Sequence, residues 1–309
     1  MFTIKSASNE DPLVSVIIPV YNSEPYLSEA LNSVLKQRFS SFEVVCVDDN
    51  SKDNSLKILR KYAREYPSKV RVFKNDRNMG VGYSANLAIS KAKGVFVARL
   101  DSDDVMIESR LKRQAEYLLS NPEVVIVGGQ VIISDKEGTV VGKKKFPLTD
   151  EKIYNLMFNV MPIQQGASMI NRAHLPKDFK FYKGNSRVAE EVELFFRLHQ
   201  YGKFANLRAN VLRYRQYRGS TSLKNPKKTF YDSFRVRLKA VNKYRYKPTF
   251  KGWFTMFIQF CLVSILPKNW VYPMFALLRG ITTKRRRIKL SDLHILLSTK
   301  IEIPFMSDS

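Results

Sequence analysis

From Val14 to Val127 the chain alternates between two hydrophobic periods. Val14–Val20 is an unbroken apolar, β-branched run that stops at Tyr21-Asn22, and it predicts a buried strand. Tyr26–Lys36 then sets Leu27, Ala30, Leu31, Val34 and Leu35 at helical spacing. The alternation repeats. Phe42–Val47, Val70–Phe73, Val95–Leu100 and Val124–Val127 predict strands, while Asn54–Tyr66, Val81–Ala92 and Glu108–Leu119 predict helices. Such alternation implies βαβ units and a mostly parallel sheet. Right-handed crossovers then place the strand C-termini along one edge, where ligands bind. The polar clusters Tyr21-Asn22, Asp48-Asp49 and Asp101-Ser102-Asp103-Asp104 each follow a strand, so this topology gathers them.

Past Val127 the pattern loosens. Val131–Phe146 predicts a hairpin turning at Lys136-Glu137-Gly138, and Gln164–Ile170 a short strand. Arg187–Tyr201 predicts a helix with an acidic start at Glu190-Glu191 and a stop at Gly202; Leu207–Tyr217 is strand-like. From Pro226 the chain turns basic and helical. Gly252–Leu266 is strongly apolar, yet as a helix it spans only about 22 Å, short of the ~30 Å hydrocarbon core. A second apolar stretch, Trp270–Leu278, and the run Lys284-Arg285-Arg286-Arg287 follow.

Charge sharpens this division. The 309 residues carry 52 Lys+Arg and 28 Asp+Glu, a net of +24. Residues 1–210 hold 31 and 24 of these, a net of +7, and residues 211–309 hold 21 and 4, a net of +17. A basic last third calls for an anionic partner, either nucleic acid or a membrane surface. With 44% hydrophobic residues the chain has material for a core, which excludes general disorder. Two cysteines, Cys46 and Cys261, make neither a disulfide framework nor a paired-cysteine zinc site, and they suit a reducing compartment. The polar start, Met1 to Asp11, has no apolar core of a secretory signal.

The densest chemistry lies in Asp101-Ser102-Asp103-Asp104. Three carboxylates in four residues repel unless water or a cation screens them. Hard divalent ions bind one or two carboxylates together with substrate phosphates, so the cluster suits a Mn2+ or Mg2+ site on a nucleotide diphosphate. The plainer alternative is a solvated loop with Asp104 capping the next helix. Asp48-Asp49 similarly reads as a helix-capping turn, or as an acceptor for a base or ribose. Gly80-Val81-Gly82-Tyr83-Ser84-Ala85 fits a dinucleotide fingerprint in spacing only. Polar Lys74–Asn78 separates it from its strand, and it lies in the third unit rather than the first.

Five blocks in order resemble the family 2 glycosyltransferases, inverting enzymes of the GT-A fold that use nucleotide-sugars. They are Val14–Asn22, Phe42–Ser51, Asn78-Met79-Gly80 with Asn86, Ala98–Asp104, and Glu190–Arg197; Tyr214-Arg215 to Ser222 is a weaker sixth. The resemblance covers roughly residues 13–222. It implies an α/β fold: a GT-A-type nucleotide-binding domain with a mostly parallel central sheet, followed by a basic, partly apolar C-terminal helical region. The expected division is an arm at 1–12, a catalytic domain at 13–225 and the basic region at 226–309.

The resemblance also implies roles. Pro19, Tyr21 and Asp49 would hold the nucleotide base, and Asp101 the ribose. Asp103 would ligate the metal, Mn2+ or Mg2+, with Asp104 supporting that site. Glu191 falls on the catalytic base, where the family usually has Asp. Gln165, Gly166, Ser168 and Glu190 fall on the acceptor side. Arg197 reads as a structural residue. Ser84 stands where the family often has Arg, and Tyr217 where it often has His. Without the resemblance, Glu190-Glu191 reads as the acidic start of a helix.

The expected activity is metal-dependent transfer of a single sugar to a hydroxyl of a lipid-linked glycan, at the inner face of the cell membrane. The short apolar helices with flanking Lys and Arg suit an interfacial element on an anionic leaflet; packing on the catalytic domain is the alternative. A nucleotidyltransferase also uses a nucleotide, a metal and paired Asp. A non-enzymatic basic module is the remaining reading. Arg213–Arg218 and Lys243–Lys247 interleave base and aromatic as nucleic-acid binders do, but no helix-turn-helix, RNP or zinc motif accompanies them.

Overall fold

A computed structural model of the chain describes residues 11–183, 189–216, 225–267 and 270–271, with the backbone of 282–283. The first half follows the predicted alternation. β1 (Val14–Val20), β2 (Phe42–Asp48), β3 (Val70–Lys74) and β4 (Phe96–Arg99) are joined by α1 (Glu24–Leu35), α2 (Ser55–Glu65) and α3 (Val81–Lys91). These four strands form a parallel block in the order β3-β2-β1-β4.

The rest of the sheet is mixed. β5 (Val105–Met106) and α4 (Arg110–Ser120) lead into β6 (Val124–Ser134), one 11-residue strand where the sequence suggested a short strand and then a hairpin arm. β6 turns into β7 (Val140–Lys144), so the hairpin is present, and α5 (Asp150–Met157) follows. The expected strand at Gln164–Ile170 divides into a 3-10 turn, Gln165–Ala167, and β8 (Met169–Asn171), which lies antiparallel between β4 and β6. α6 (Ala189–Leu198) precedes β9 (Lys203–Arg215), which runs parallel to β6 and antiparallel to β5. β10 (Thr282–Thr283) pairs with β7.

The period-two pattern of the buried strands explains the layers. Val14, Val16, Ile18 and Val20 face α1, α2 and α4 in one apolar cluster, while Ile17, Val45, Val47 and Val97 face α3 and α6 in another. β1, β2 and β4 therefore each contribute to two cores, as an apolar run without polar alternation requires.

The C-terminal helices share the second core. α7 (Pro226–Lys243) packs on α6, and α8 (Phe250–Ile265) buries Gly252, Met256, Gln259 and Val263. Asn159 Nδ2 donates to Gly252 O at 2.9 Å, Arg237 Nε donates to Met157 O at 3.2 Å, and the Trp253 and Phe158 rings meet edge-on at 4.7 Å. Glu193 on α6 accepts from Lys239 at 2.9 Å and from the Tyr244 hydroxyl. Among the described residues no helix is long and apolar enough to cross a membrane. Most of the second apolar stretch (residues 272–278), the run at 284–287 and Tyr217 lie outside the described residues.

Candidate active site

The ends of β1 and β2 are locked together by their turns. Asn22 and Asn50 adopt left-handed backbone, φ 48° and 58°, which asparagine tolerates better than most residues. Asn22 Oδ1 accepts from Lys52 N at 2.8 Å, and Ser51 Oγ accepts from Asn22 N at 3.1 Å. Glu24 accepts from both nitrogens of Asn54, and Ser23 N donates to Ser55 Oγ. Tyr21 projects from this joint and is 44% exposed, while Pro19 is buried inside β1 opposite Val47.

Asp49 is buried and fully engaged. Its Oδ1 accepts from Asn75 Nδ2 at 2.7 Å and Met79 N at 2.8 Å, and its Oδ2 from Gly80 N at 2.8 Å. It thereby ties the loop 75–80 to β2. Ser84, where the family often carries Arg, is buried and accepts from Asn75 Nδ2 at 2.9 Å. The glycine-rich segment thus starts α3 against Asp49, with Gly80 at φ 92°.

The acidic cluster leaves β4 in the same direction. Arg99 is buried and donates Nε and Nη2 to Asp101 Oδ1 at 3.0 and 2.8 Å. Asp103 is partly exposed, and Asp104 is fully buried. Asp104 Oδ1 accepts from Arg215 N at 2.9 Å, whereas its Oδ2 has no hydrogen-bond partner. Burial, reinforced by the charges of Asp103 and Asp101, holds the Asp104 carboxyl well above the usual carboxylate range. A buried carboxyl with one bare oxygen and two acidic neighbours takes up a proton or a cation.

Gly166 closes over this cluster. A Cβ there would stand 3.2 Å from both Asp101 Oδ2 and Asp104 Oδ2. Arg110, fully buried on α4, pins the surrounding backbone by donating to the carbonyls of Gly166, Arg99 and Ser168 at 2.7 to 3.0 Å. Gln165 and Ser168 are buried. Ser168 Oγ donates to Gln165 O, and Gln165 Nε2 donates to the Tyr182 hydroxyl at 2.6 Å.

Among the described residues no three His, Cys, Asp or Glu side chains close into a metal cage. A divalent ion on a diphosphate does not need one, since phosphate oxygens complete its shell. The partly exposed Asp103 and the bare Oδ2 of Asp104 fit such a donor set.

α6 brings the remaining carboxylates. Asn86 holds Tyr182 through both backbone groups, at 2.8 and 3.1 Å, and Arg197 donates to the carbonyls of Lys180 and Phe181. Together they fix the strand of chain that leads to α6, and Arg197 has the structural part expected of it. Glu190 and Glu191 diverge. A Cβ on Gly82 would fall 2.4 Å from Glu190 Oε2, which places Glu190 at the first turn of α3. Glu191 instead lies in the field of Asp101, Arg99 and Lys144. Burial chiefly, and then Asp101, push its pKa up to about 8, against the opposing pull of Arg99 and Lys144. Lys144 is itself anchored, donating to Gln164 Oε1 at 3.0 Å.

The structure therefore gathers Asp101, Asp103, Asp104, Gly166 and Glu191 at one edge, with Tyr21 on its rim. It sets Pro19, Asp49, Gln165, Ser168 and Glu190 behind or beside that group. Sequence reasoning gave no role to Arg110, Arg215, Tyr182 or Asn75. Each acts through contacts with residues distant in sequence, which no local pattern announces. For Arg215 a signal existed, a strand-end arginine in a basic-aromatic run.

This architecture has known counterparts. The model of the glycosyl transferase family 2 matches residues 15–179. The putative glycosyltransferase EpsE of Bacillus subtilis is 31% identical over 63% of this chain and 69% of its own. The Escherichia coli UDP-Glc:alpha-D-GlcNAc-diphosphoundecaprenol beta-1,3-glucosyltransferase WfgD is 34% identical over 43% of this chain and 51% of its own. Among solved structures, S. aureus TarS 1-349 in complex with UDP superposes with a TM-score of 0.62 at 24% identity, over 92% of this chain and 78% of that one. The mannosyltransferase PcManGT from Pyrobaculum calidifontis, in complex with GDP-Man and Mn2+, gives 0.56 at 16% identity, over 93% and 79%. These superpositions establish the GT-A fold. The family match spans more than half of the chain and includes the strand ends that carry the acidic cluster. The chain therefore belongs to glycosyl transferase family 2, and is a nucleotide-sugar-dependent glycosyltransferase.

Proposed function

We propose that the protein transfers one sugar, with inversion, from a nucleoside diphosphate donor to a hydroxyl of a lipid-linked surface-glycan acceptor. The observation that carries this reading is the position of Glu191, a carboxyl beside Asp101 and Arg99 whose pKa is pushed up to about 8. A group with that pKa is a fitting proton acceptor near neutrality. Glu191 takes the proton of the acceptor hydroxyl as that oxygen attacks the anomeric carbon. The bond from that carbon to the diphosphate oxygen breaks, and a single displacement inverts the configuration.

On the donor side, Tyr21 offers an exposed ring to the base. Pro19 backs it from within β1, and Asp49 fastens the loop 75–80 beside it. Asp101, oriented by Arg99, meets the ribose. Asp103 and Asp104 would hold Mn2+ or Mg2+, which would supply positive charge against the leaving diphosphate. On the acceptor side Gly166 leaves space above the carboxylates. Gln165 and Ser168 shape that turn, and Glu190 sets the start of α6 against α3. The acceptor named for WfgD, a sugar on diphosphoundecaprenol, supports a lipid diphosphate acceptor here. The basic region from residue 226 would keep the enzyme on the inner face of the cell membrane.

The deciding experiment incubates the protein with UDP-, GDP- and dTDP-sugars and lipid diphosphate-linked sugars, with and without Mn2+. Products are identified by mass spectrometry. Metal-dependent release of a nucleoside diphosphate with acceptor mass rising by one sugar is expected. In a parallel incubation with nucleoside triphosphates and sugar phosphates, release of pyrophosphate would mark a nucleotidyltransferase instead, and full turnover in EDTA would remove the metal.

A further inference from the structure

α8 has two apolar faces, and the core accounts for only one. Gly252, Met256, Gln259 and Val263 point inward. On the other side Phe250 is 88% exposed, Phe257 65% and Ile265 81%, with Phe254 and Ile258 also open. At 100° per residue these positions, with Trp253 and Phe260, fall within roughly 160° of arc opposite the buried four. That arc contains no charged side chain, and Ser264 is its one hydroxyl. Seven large apolar residues in one exposed strip exceed the scattered single residues normal on a monomer surface.

The surrounding charge indicates what covers the strip. Lys243, Arg245 and Lys247 precede α8, and Lys251 stands in its first turn; all four are exposed. No Asp or Glu occurs from residue 233 to residue 291. An apolar strip whose flanking sequence carries one sign of charge matches an anionic bilayer surface, which offers hydrocarbon in depth and phosphate at the rim. A second copy of this chain would bring the same positive rim against its own. α8 is too short to cross a membrane, and its inner face is held in the core by Asn159 and Phe158. A helix held in this way meets a membrane along its length, in the membrane plane.

We propose that α8 lies flat in the interface of an anionic bilayer, with Phe250, Phe254, Phe257 and Ile265 in the acyl boundary and Lys243, Arg245, Lys247 and Lys251 against lipid phosphates. This rests on the membrane association proposed above and narrows it to one helix face. Trp253, half exposed on the edge of that face and packed against Phe158, occupies the headgroup level that tryptophan favours.

The chain has two tryptophans, so Trp270→Phe in the full-length protein leaves Trp253 as a sole reporter. Without lipid, acrylamide should quench Trp253 readily. With phosphatidylcholine/phosphatidylglycerol vesicles its emission should shift to the blue and be quenched by brominated acyl chains. Pure phosphatidylcholine should bind far more weakly. The triple substitution Phe250→Ser, Phe254→Ser, Phe257→Ser should lower vesicle partition by about tenfold or more with an unchanged melting temperature, since all three side chains are exposed.

Three results would overturn the inference. If Trp253 resists acrylamide without lipid, the strip is covered by residues 272–309 or by a second copy. If the protein sediments with vesicles but Trp253 is not quenched, another segment binds, and membrane association survives without α8. If the protein ignores anionic vesicles altogether, both readings fail.

Discussion

Glu190 and Glu191 are neighbours in sequence and meet different surroundings, so substitution separates them. Glu191→Gln keeps the shape and cannot take a proton. It should lower kcat by about 10²- to 10⁴-fold with donor affinity little changed, measured by steady-state kinetics and nucleotide titration. Glu190→Gln, at the first turn of α3, should have a far smaller effect on kcat. Only the ionised form of Glu191 accepts a proton, so kcat/KM for the acceptor should rise with pH through about 8, and Glu191→Gln should abolish that limb. The same shift acts on stability in the opposite sense. The native carboxyl keeps its proton up to about 8 while the unfolded one loses it near 4.5, so this group's contribution to stability declines as pH rises between those values. Asp103→Asn should remove the metal dependence of donor binding and abolish turnover while the fold survives, because Asp103 is partly exposed and its side chain is not part of a core. Near-normal turnover in Mn2+ would sink that assignment.

At the scale of elements, the acidic turn after β4 is held from outside itself. Arg215 at the end of β9 donates its backbone N–H to Asp104, its Nε to Asp103 O at 3.0 Å and its Nη1 to Lys136 O at 2.7 Å, and pairs with Glu29 on α1. Arg215→Met should cost about 1–2 kcal/mol in a urea titration, because two part-buried carbonyls lose their donor, while the half-exposed Glu29 is compensated by water. It should also weaken metal-dependent donor binding. This explains what was legible beforehand. β1 to β4 and their helices could be read because buried parallel strands and amphipathic helices repeat a local period. The union of Val124–Ser134 into one strand could not, since Gly128-Gly129 in its middle reads as a break. There both glycines admit neighbours: a Cβ on Gly128 would lie 2.2 Å from Asn206 Oδ1, and one on Gly129 2.7 Å from Val211. Asp101, Asp103 and Asp104 stood out beforehand because they form one local motif, and Glu191 through the resemblance alone; the structure brings Asp101 and Glu191 into one electrostatic neighbourhood. Arg110 and Arg215 were hidden because the site carbonyls they hold, those of Gly166 and Asp103, lie 56 and 112 residues away along the chain.

For the whole molecule, α7 and α8 of the basic last third are part of the folded body, and α8 is a candidate anchor as well. Removing residues 252–309 would strip Met256 and Val263 from the second core and leave Asn159 without Gly252 O. At about 1.5–3 kcal/mol per buried side chain, the loss should reach about 3–6 kcal/mol. We expect such a truncation to lower the melting temperature and solubility, as scanning fluorimetry and sedimentation would show. Membrane release is therefore better tested with exposed-face substitutions than by shortening the chain.

The charges around the acidic strand end nearly cancel before any ligand arrives. Asp101 and Asp103, with Asp104 held towards its protonated form, are interleaved with Arg99, Arg110 and Arg215 in one hydrogen-bonded unit, and Glu29 pairs with Arg215. A divalent cation and the diphosphate it accompanies also sum to about zero. Donor capture is thus close to an exchange between partners of small net charge, whereas the approach to α8 and its first turn carry four exposed cations. Raising ionic strength from about 0.05 to 0.5 M, which shortens the screening length severalfold, should strip the protein from vesicles and leave nucleotide affinity nearly untouched. Salt alone would then uncouple where the enzyme sits from what it binds.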